Sequence, residues 1–371
     1  MKYQRMPIEI EAPEEKGYNT IKYNLAESSV RDKYLKDFSG DFSNVLLHYG
    51  EHWGTESFRK AILHQEEGLI ISNILTCPSA ATGLFIVHTA LLDLNSHLIV
   101  IRPNYGTNLE TPRAIGCSLS VIDLDSANQY QPSVEKIEQS IQPNTKIISI
   151  TSPQNPTGIV IDGKIIEHLI TLCEKNNIWL LIDETYRDLN FQSDLIPYWA
   201  TKSDKVISVC SLSKAFGVPG IRTGWIINKN HELMQFFLAA KEQIIISNSV
   251  LDEAVATHIL ENKSKYLIPT HQHIRANFEI LKQWLETNQY FDCQLPDAGV
   301  VCFLLLKVTI DMDKFYNNLY EQYATVVGPG HWFEQSKKAM RIGFGYPTAQ
   351  ELSRGLEHIK LCIESLLNQK T

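Results

Sequence analysis

Cysteine is sparse in this chain: its seven thiols are odd in number, stand singly and form no Cys-x-x-Cys pair. That pattern excludes a disulfide framework and a zinc-ribbon spacing. Cys77, Cys173, Cys210 and Cys302 lie inside apolar runs, where a thiol reads as a small buried hydrophobe. Long hydrophobic runs are missing too. The longest, VVCFLLL at 300–306, falls far short of the roughly 20 residues that a bilayer-spanning helix needs. Positive charge is in deficit, with 34 Lys and Arg against 42 Asp and Glu, a net charge of −8 and a pI near 5.9. No basic cluster offsets it, which argues against nucleic acid or an anionic membrane as a partner. The first residues, MKYQRMPIEIEAPEEKGYN, are polar and acidic without an apolar signal-peptide core, so a cytoplasmic location is expected. No G-x-G-x-x-G follows the first strand-like run, which removes a nucleotide-dependent dehydrogenase. Twelve histidines supply one close pair, H-x-H at 271–273, which reads as solvated on a helix; no metal is expected.

What is present is an alternation. Apolar, β-rich runs stand at SHLIVIRP (96–103), KIISITSP (146–153), IWLLIDE (178–184), KVISVCSLS (205–213) and GWIIN (224–228). They are apolar almost throughout, as strands buried on both faces are. Amphipathic stretches such as KIIEHLITLCEKN (164–176) lie between them. The expected class is therefore α/β, a large domain around a mainly parallel sheet over residues 45–258. From about residue 260 a long helical stretch, a strand-like VVCFLLLKV and a final amphipathic helix (350–367) predict a smaller α+β domain. It would combine residues 259–371 with 1–44.

In an open parallel sheet, ligands bind beyond the carboxyl ends of the strands. Four polar segments fall at such ends: TCPSAAT (76–82), SPQNPTG (152–158), DETY (183–186) and SLSK (211–214). Lys214, inside SLSKAFGVPGIRTGW (211–225), is set among groups too apolar for an ordinary solvated charge. Such a lysine is expected to have a lowered pKa and to attack a carbonyl, forming a Schiff base. The most demanding use of that chemistry is pyridoxal phosphate. It needs an acid at the pyridine nitrogen, for which Asp183 ends an apolar strand; a strand-end cap is the plainer role for that residue. Tyr186 and Asn155 could donate to the ring hydroxyl, although a core tyrosine and an Asn-Pro-x-Gly turn explain them as well. Ser79 reads as the N-cap of a helix with apolar residues at 84, 87 and 91, and a helix start binds phosphate. Ser211, Ser213 and Arg222 would add hydroxyls and charge, unless Arg222 forms a surface ion pair.

Taken together, SPQNPTG, DETY, SLSKAFGVPGIRTGW, GPGHWF (328–333), MRIGFG (340–345) and HYGEHWGTESFRKAI (48–62) resemble the fold-type I pyridoxal-phosphate enzymes, specifically the class I and II aminotransferases. The resemblance spans nearly the full length. It implies that Lys214 carries the cofactor and shuttles a proton at the substrate Cα, with Asp183 on the pyridine nitrogen and Tyr186 and Asn155 on the ring hydroxyl. It also implies that the amides of Ala80 and Ala81 join Ser211, Ser213 and Arg222 on the phosphate. Tyr105 matches the aromatic against the ring, and Arg341 the arginine that grips the α-carboxylate. Tyr49 matches a tyrosine that reaches the phosphate of the neighbouring subunit, implying a homodimer with shared sites. Ser79 stands where that family usually has glycine, which bears on the fine geometry of the phosphate loop.

NLAESSVRD (24–32), IIISNSVLDEAVA (244–256) and the stretch from VVGPGHWF to RGLEHI are similar to the capreomycidine synthase branch, whose members act on arginine-derived amino acids. There the segment before Tyr49 covers the substrate, which makes Glu27, Ser28 and Ser29 candidate side-chain readers. The leading expectation is amino-group transfer between an amino acid and a 2-oxo acid, and the alternative is a lyase or cyclase with the same cofactor. A ligand-sensing relative fused to a DNA-binding domain is a lesser reading, because no such domain precedes the fold in this sequence.

Overall fold

The apolar runs become the inner strands of a seven-stranded sheet in the structure, a computed structural model that describes residues 1–64, 66–191 and 196–369. Its strands, in chain order with those of a second sheet, are β1 (Tyr23–Leu25), β2 (Ile74–Cys77), β3 (His97–Arg102), β4 (Ser118–Asp123), β5 (Thr145–Thr151) and β6 (Trp179–Asp183). They continue as β7 (Val206–Ser211), β8 (Gly224–Ile227), β9 (Phe291–Cys293), β10 (Val301–Leu306), β11 (Thr325–Pro329) and β12 (Ala339–Gly343). The larger sheet has the order β2-β8-β7-β6-β5-β3-β4. Every neighbouring pair from β7 to β4 is parallel, and β8 alone runs antiparallel to its neighbours β2 and β7.

Both faces of this sheet are covered. Helices Ala80–Leu91 and His231–Ile244 pack Leu84, Val87, Met234 and Phe237 on one face. Helix Gly163–Asn176 packs Ile166, Leu169 and Cys173 on the other. Residues Leu98–Ile101 and Leu180–Ile182 are accordingly at most 1% exposed, which is why their sequence shows no polar alternation. The smaller sheet has the order β1-β11-β12-β10-β9, with β1 parallel to β11 and the other pairs antiparallel. The last helix, Ala349–Asn368, buries Leu352, Leu356, Ile359 and Ile363, one per turn. Helix Lys263–Thr287 carries the histidine pair, and here the structure corrects the solvated reading. His271 Nε2 meets the carbonyl of Asp188 at 2.8 Å and His273 Nε2 that of Gly345 at 3.0 Å, so both imidazoles tie distant segments together. No helix among the described residues is long and apolar enough to cross a membrane.

Register brings the four polar segments to one edge of the larger sheet. Thr151 lies beside Asp183 and Asp183 beside Val209, while Cys77 and Ser211 both oppose Gly224. Gly224 is needed for close approach: a Cβ there would stand 2.5 Å from the carbonyl carbon of Ser79 and 2.7 Å from the amide of Ala80. Its lack of a side chain lets the helix start rest on the sheet edge. Gly224→Ala should therefore destabilise the protein by about 1–3 kcal/mol, the usual effect of overpacking. Thermal unfolding checks this; an unchanged midpoint would mean the Ser79–Ala80 backbone has room to spare.

Candidate active site

At that edge the start of helix Ala80–Leu91 opens into a cavity. Ser79 caps it as expected: its Oγ accepts the Thr82 amide at 3.0 Å and lies 3.0 Å from the Thr82 hydroxyl. The amides of the first turn have no intrahelical acceptor, and the helix dipole adds positive potential there. Ala80 and Ala81 line the cavity with Ser211 and Ser213, whose hydroxyls are 2.9 Å apart. Arg222 lines it too, with Nη1 donating to the carbonyl of Pro219 at 2.7 Å rather than entering a surface ion pair. Amides, hydroxyls and a guanidinium around one space form a receptor for a dianion.

Asp183 ends β6 at 5% exposure. One carboxylate oxygen accepts the Thr185 amide at 3.1 Å and the Thr185 hydroxyl at 2.6 Å. No Lys, Arg or His lies within ion-pair distance of it among the described residues. Burial pushes its pKa up, and the Thr185 bonds only partly reverse that. Tyr186 is 4% exposed and its Oη has no hydrogen-bond partner among the described residues, so it is a buried donor left for something else to satisfy.

Lys214 Nζ is 4.0 Å from Glu27 Oε1. Its pKa departs from the sequence expectation. Burial is the largest single influence and lowers it, but Tyr186, Glu27 and Tyr105 together outweigh that and hold the ammonium above its ordinary range. Arg341, on β12, is 3% exposed. Its Nη1 donates to Asn155 Oδ1 at 2.9 Å and its Nη2 to the carbonyl of Ala26 at 2.6 Å. Nε has no partner, and no carboxylate lies within ion-pair distance among the described residues. Burial lowers its pKa.

Tyr105, Asn155, Glu27 and Ser28 line this same cavity, so the structure gathers nearly every residue singled out from the sequence. Tyr49 and Ser29 are the exceptions: Tyr49 is on the surface at 82% exposure, and Ser29 is buried outside the cavity lining. Sequence reasoning missed Thr185, Trp332 and the N-terminal segment. Short helices Pro7–Ile10 and Pro13–Lys16 bring Glu9, Pro13 and Glu14 to the cavity, with Glu9 Oε1 3.5 Å from the Tyr105 hydroxyl. Proline at the first helical position followed by glutamate in the first turn does announce each helix. Nothing local announces where that segment packs.

The residues present fit pyridoxal phosphate, the group implied by the sequence resemblance. A buried carboxylate without a cation suits a pyridinium, an orphaned phenol suits a ring oxygen, and the helix start with its hydroxyls and Arg222 suits a phosphate. Lys214 completes the set at the same cavity.

The family model for aminotransferase class I and II matches residues 41–359. Capreomycidine synthase of Streptomyces vinaceus is 26% identical over 338 residues, covering 91% of this chain and 86% of that protein. Aspartate aminotransferase of Thermotoga maritima is 25% identical over 299 residues, 80% of this chain and 76% of the relative. A crystal structure of a PLP-dependent aminotransferase from Streptococcus suis 89-1591 superposes with a TM-score of 0.90 at 27% identity, covering 99% of both chains.

A raised folded-state pKa means that the folded protein holds the Asp183 proton to higher pH than the unfolded chain does. The stability this contributes is present at low pH and is lost as pH rises through the folded-state value. Asp183→Asn in cofactor-free protein at pH 8 should therefore melt no lower than wild type, and higher if the buried carboxylate opposes folding. A clear drop in its melting temperature would overturn this reading of the site.

Proposed function

The chain belongs to the class I and II aminotransferase family, and from that premise we propose that it transfers an amino group between an amino acid and a 2-oxo acid with pyridoxal phosphate. The observation that carries this reading is Arg341: a buried guanidinium without a carboxylate, facing the cavity that also holds Lys214 and Asp183. Such a group is a receptor for the α-carboxylate of a substrate.

When bound, the cofactor supplies an electron sink for the charge left at the substrate Cα. Lys214 would hold the cofactor through its ε-amine and would be the base placed to take the Cα proton. Asp183, held by Thr185, sustains the positive charge at the ring nitrogen. Tyr186 and Asn155 orient the ring hydroxyl, and Tyr105 adds an aromatic surface. The amides of Ala80 and Ala81, the Ser211 and Ser213 hydroxyls and Arg222 anchor the phosphate, with Ser79 fixing the helix start. Ser79 in place of glycine is accommodated by its capping bond to Thr82. Arg341 takes the α-carboxylate, and Asn155 on its other side fixes the plane of the guanidinium.

Elimination with ring closure on an arginine-derived amino acid is the second reading. The likeness to capreomycidine synthase and the presence of Glu27 in the cavity favour it. A homodimer with shared sites is also proposed: Leu46, Leu47 and Tyr49 are exposed apolar groups close together in the chain, as a surface that meets a second copy would be.

Lys214→Ala should abolish the visible absorbance of the cofactor-loaded protein while leaving the fold intact; an unchanged spectrum would sink the lysine assignment. Arg341→Ala should lower kcat/KM roughly 10- to 100-fold, the loss of a charged hydrogen-bonded contact, with KM taking much of the change. Mixing the loaded protein with amino acids and no oxo-acid acceptor separates the two reactions. One equivalent of 2-oxo acid with the cofactor left in its amine form supports transfer, whereas many turnovers with the cofactor unchanged support elimination.

A further inference from the structure

Seven cysteines scattered singly give no pairing signal in the sequence, yet the fold brings two of them together. Cys293 ends β9, and Cys302 is the second residue of β10, the strand hydrogen-bonded to it. Cys293 lies opposite Leu304, so Cys302 stands two residues along on the same face of the sheet. Their sulfurs are 3.0 Å apart, and both thiols are free. Cys302 is fully buried, whereas Cys293 is half-buried and open to small solutes. The other thiols are placed differently. Cys77, Cys117, Cys210 and Cys362 are buried and each donates to a backbone carbonyl, and Cys173 is packed in the core.

The loop between the two cysteines backs the candidate site. The amides of Asp297 and Ala298 both donate to the carbonyl of Gly158, at 2.9 and 3.0 Å, and Asp297 Oδ2 accepts the Val160 amide at 3.1 Å. Gly158 closes the turn that carries Asn155, its own amide donating to the Gln154 carbonyl at 2.7 Å. Asn155 in turn holds Arg341. Farther along the loop, a Cβ on Gly299 would stand 3.7 Å from the Tyr186 ring. The loop therefore lies directly behind two residues of the cavity wall.

A bond between the sulfurs requires them to close to about 2 Å. Strand β9 can yield that distance, since it is three residues long and stands at the edge of the smaller sheet. The contact with Cys293 and burial hold the Cys302 thiol well above its usual range, so Cys293, nearer to solvent, is the sulfur that an oxidant meets first. We propose that Cys293 and Cys302 are a modification site, at which a hydroperoxide makes a disulfide that staples the loop behind Asn155 and Tyr186. The Cys293 sulfur attacks one peroxide oxygen, the O–O bond breaks, and a sulfenic acid forms as water or an alcohol leaves with the thiol proton. Cys302 then attacks that sulfur, and the hydroxyl departs as water with the Cys302 proton. The two thiols lose two electrons and the peroxide gains them; a dithiol reverses the bond by exchange. The pair lies outside the cavity lining, so this chemistry does not depend on the reaction proposed there.

The test treats cofactor-loaded protein with a few equivalents of hydrogen peroxide, then unfolds it in a thiol-blocking reagent. Blocked thiols should fall by two from the seven of the reduced chain, and peptide mass spectrometry should find residue 293 linked to residue 302. Dithiothreitol should restore all seven. Cys302→Ser should lose the link and leave a sulfenic acid on Cys293 that dimedone traps. In oxidised wild type, hydrogen exchange at the Asp297 and Ala298 amides should slow roughly tenfold relative to the reduced protein. Cys293→Ser, treated in the same way, should show no such slowing. Seven thiols surviving the peroxide, or a bond that forms elsewhere or between two chains, overturns the site. A 293–302 bond with unchanged exchange in the loop overturns the staple.

Discussion

The Arg341 guanidinium holds the site together. It leaves the smaller sheet on β12, crosses to Asn155 beyond the end of β5 in the larger sheet, and reaches Ala26 just after β1. A charge this deeply buried, with no carboxylate against it, is tolerated because arginine resists losing its proton and because neutral acceptors satisfy two of its nitrogens. Its two bonds fix three separate segments around one cavity. The segment after β1 could not lie where it does without Gly343, since a side chain there would overlap the carbonyl oxygen of Glu27. Glu27 and Ser28 inherit their positions from this contact.

Elsewhere in the molecule, some buried charges are paired with opposite charges. Arg187 meets Glu66 at 2.5 Å and lies over the Tyr198 ring, 3.6 Å from its centre, and Lys263 meets Asp188 at 2.8 Å. Such pairs are what a stable interior requires. In the cavity Asp183 and Arg341 have no such partner among the described residues, and the Tyr186 hydroxyl has no hydrogen-bond partner there. The gathering of these three groups around one cavity marks where binding free energy is to be gained.

Much of this was legible in the sequence because it is local. The unbroken apolar runs of β3, β5, β6 and β7 announce strands buried on both faces, and the polar residues at their ends, Asp183 and Ser211 among them, fall on one rim by topology alone. Ser79 reads as a cap because a helix pattern follows it directly. What the sequence withheld depends on contacts between distant segments. The raised pKa of Lys214 comes from Glu27, Tyr186 and Tyr105, which offset the burial that its apolar surroundings correctly predicted. Thr185 looks like any threonine until its hydroxyl is found on Asp183. The helices at Pro7 and Pro13 are announced by their prolines, but their packing over the cavity is not. Tyr49 has no function within one chain that its exposed position explains.

Those two short helices bury nothing of their own beyond Pro13. They contribute little to the core, yet they carry two of the acidic groups that face the ligand. Glu9 and Glu14 therefore reach the cavity from a segment that adds little to the packed interior. A substitution at Glu14 meets no packed interior, whereas one at Glu9 also removes the acceptor facing the Tyr105 hydroxyl.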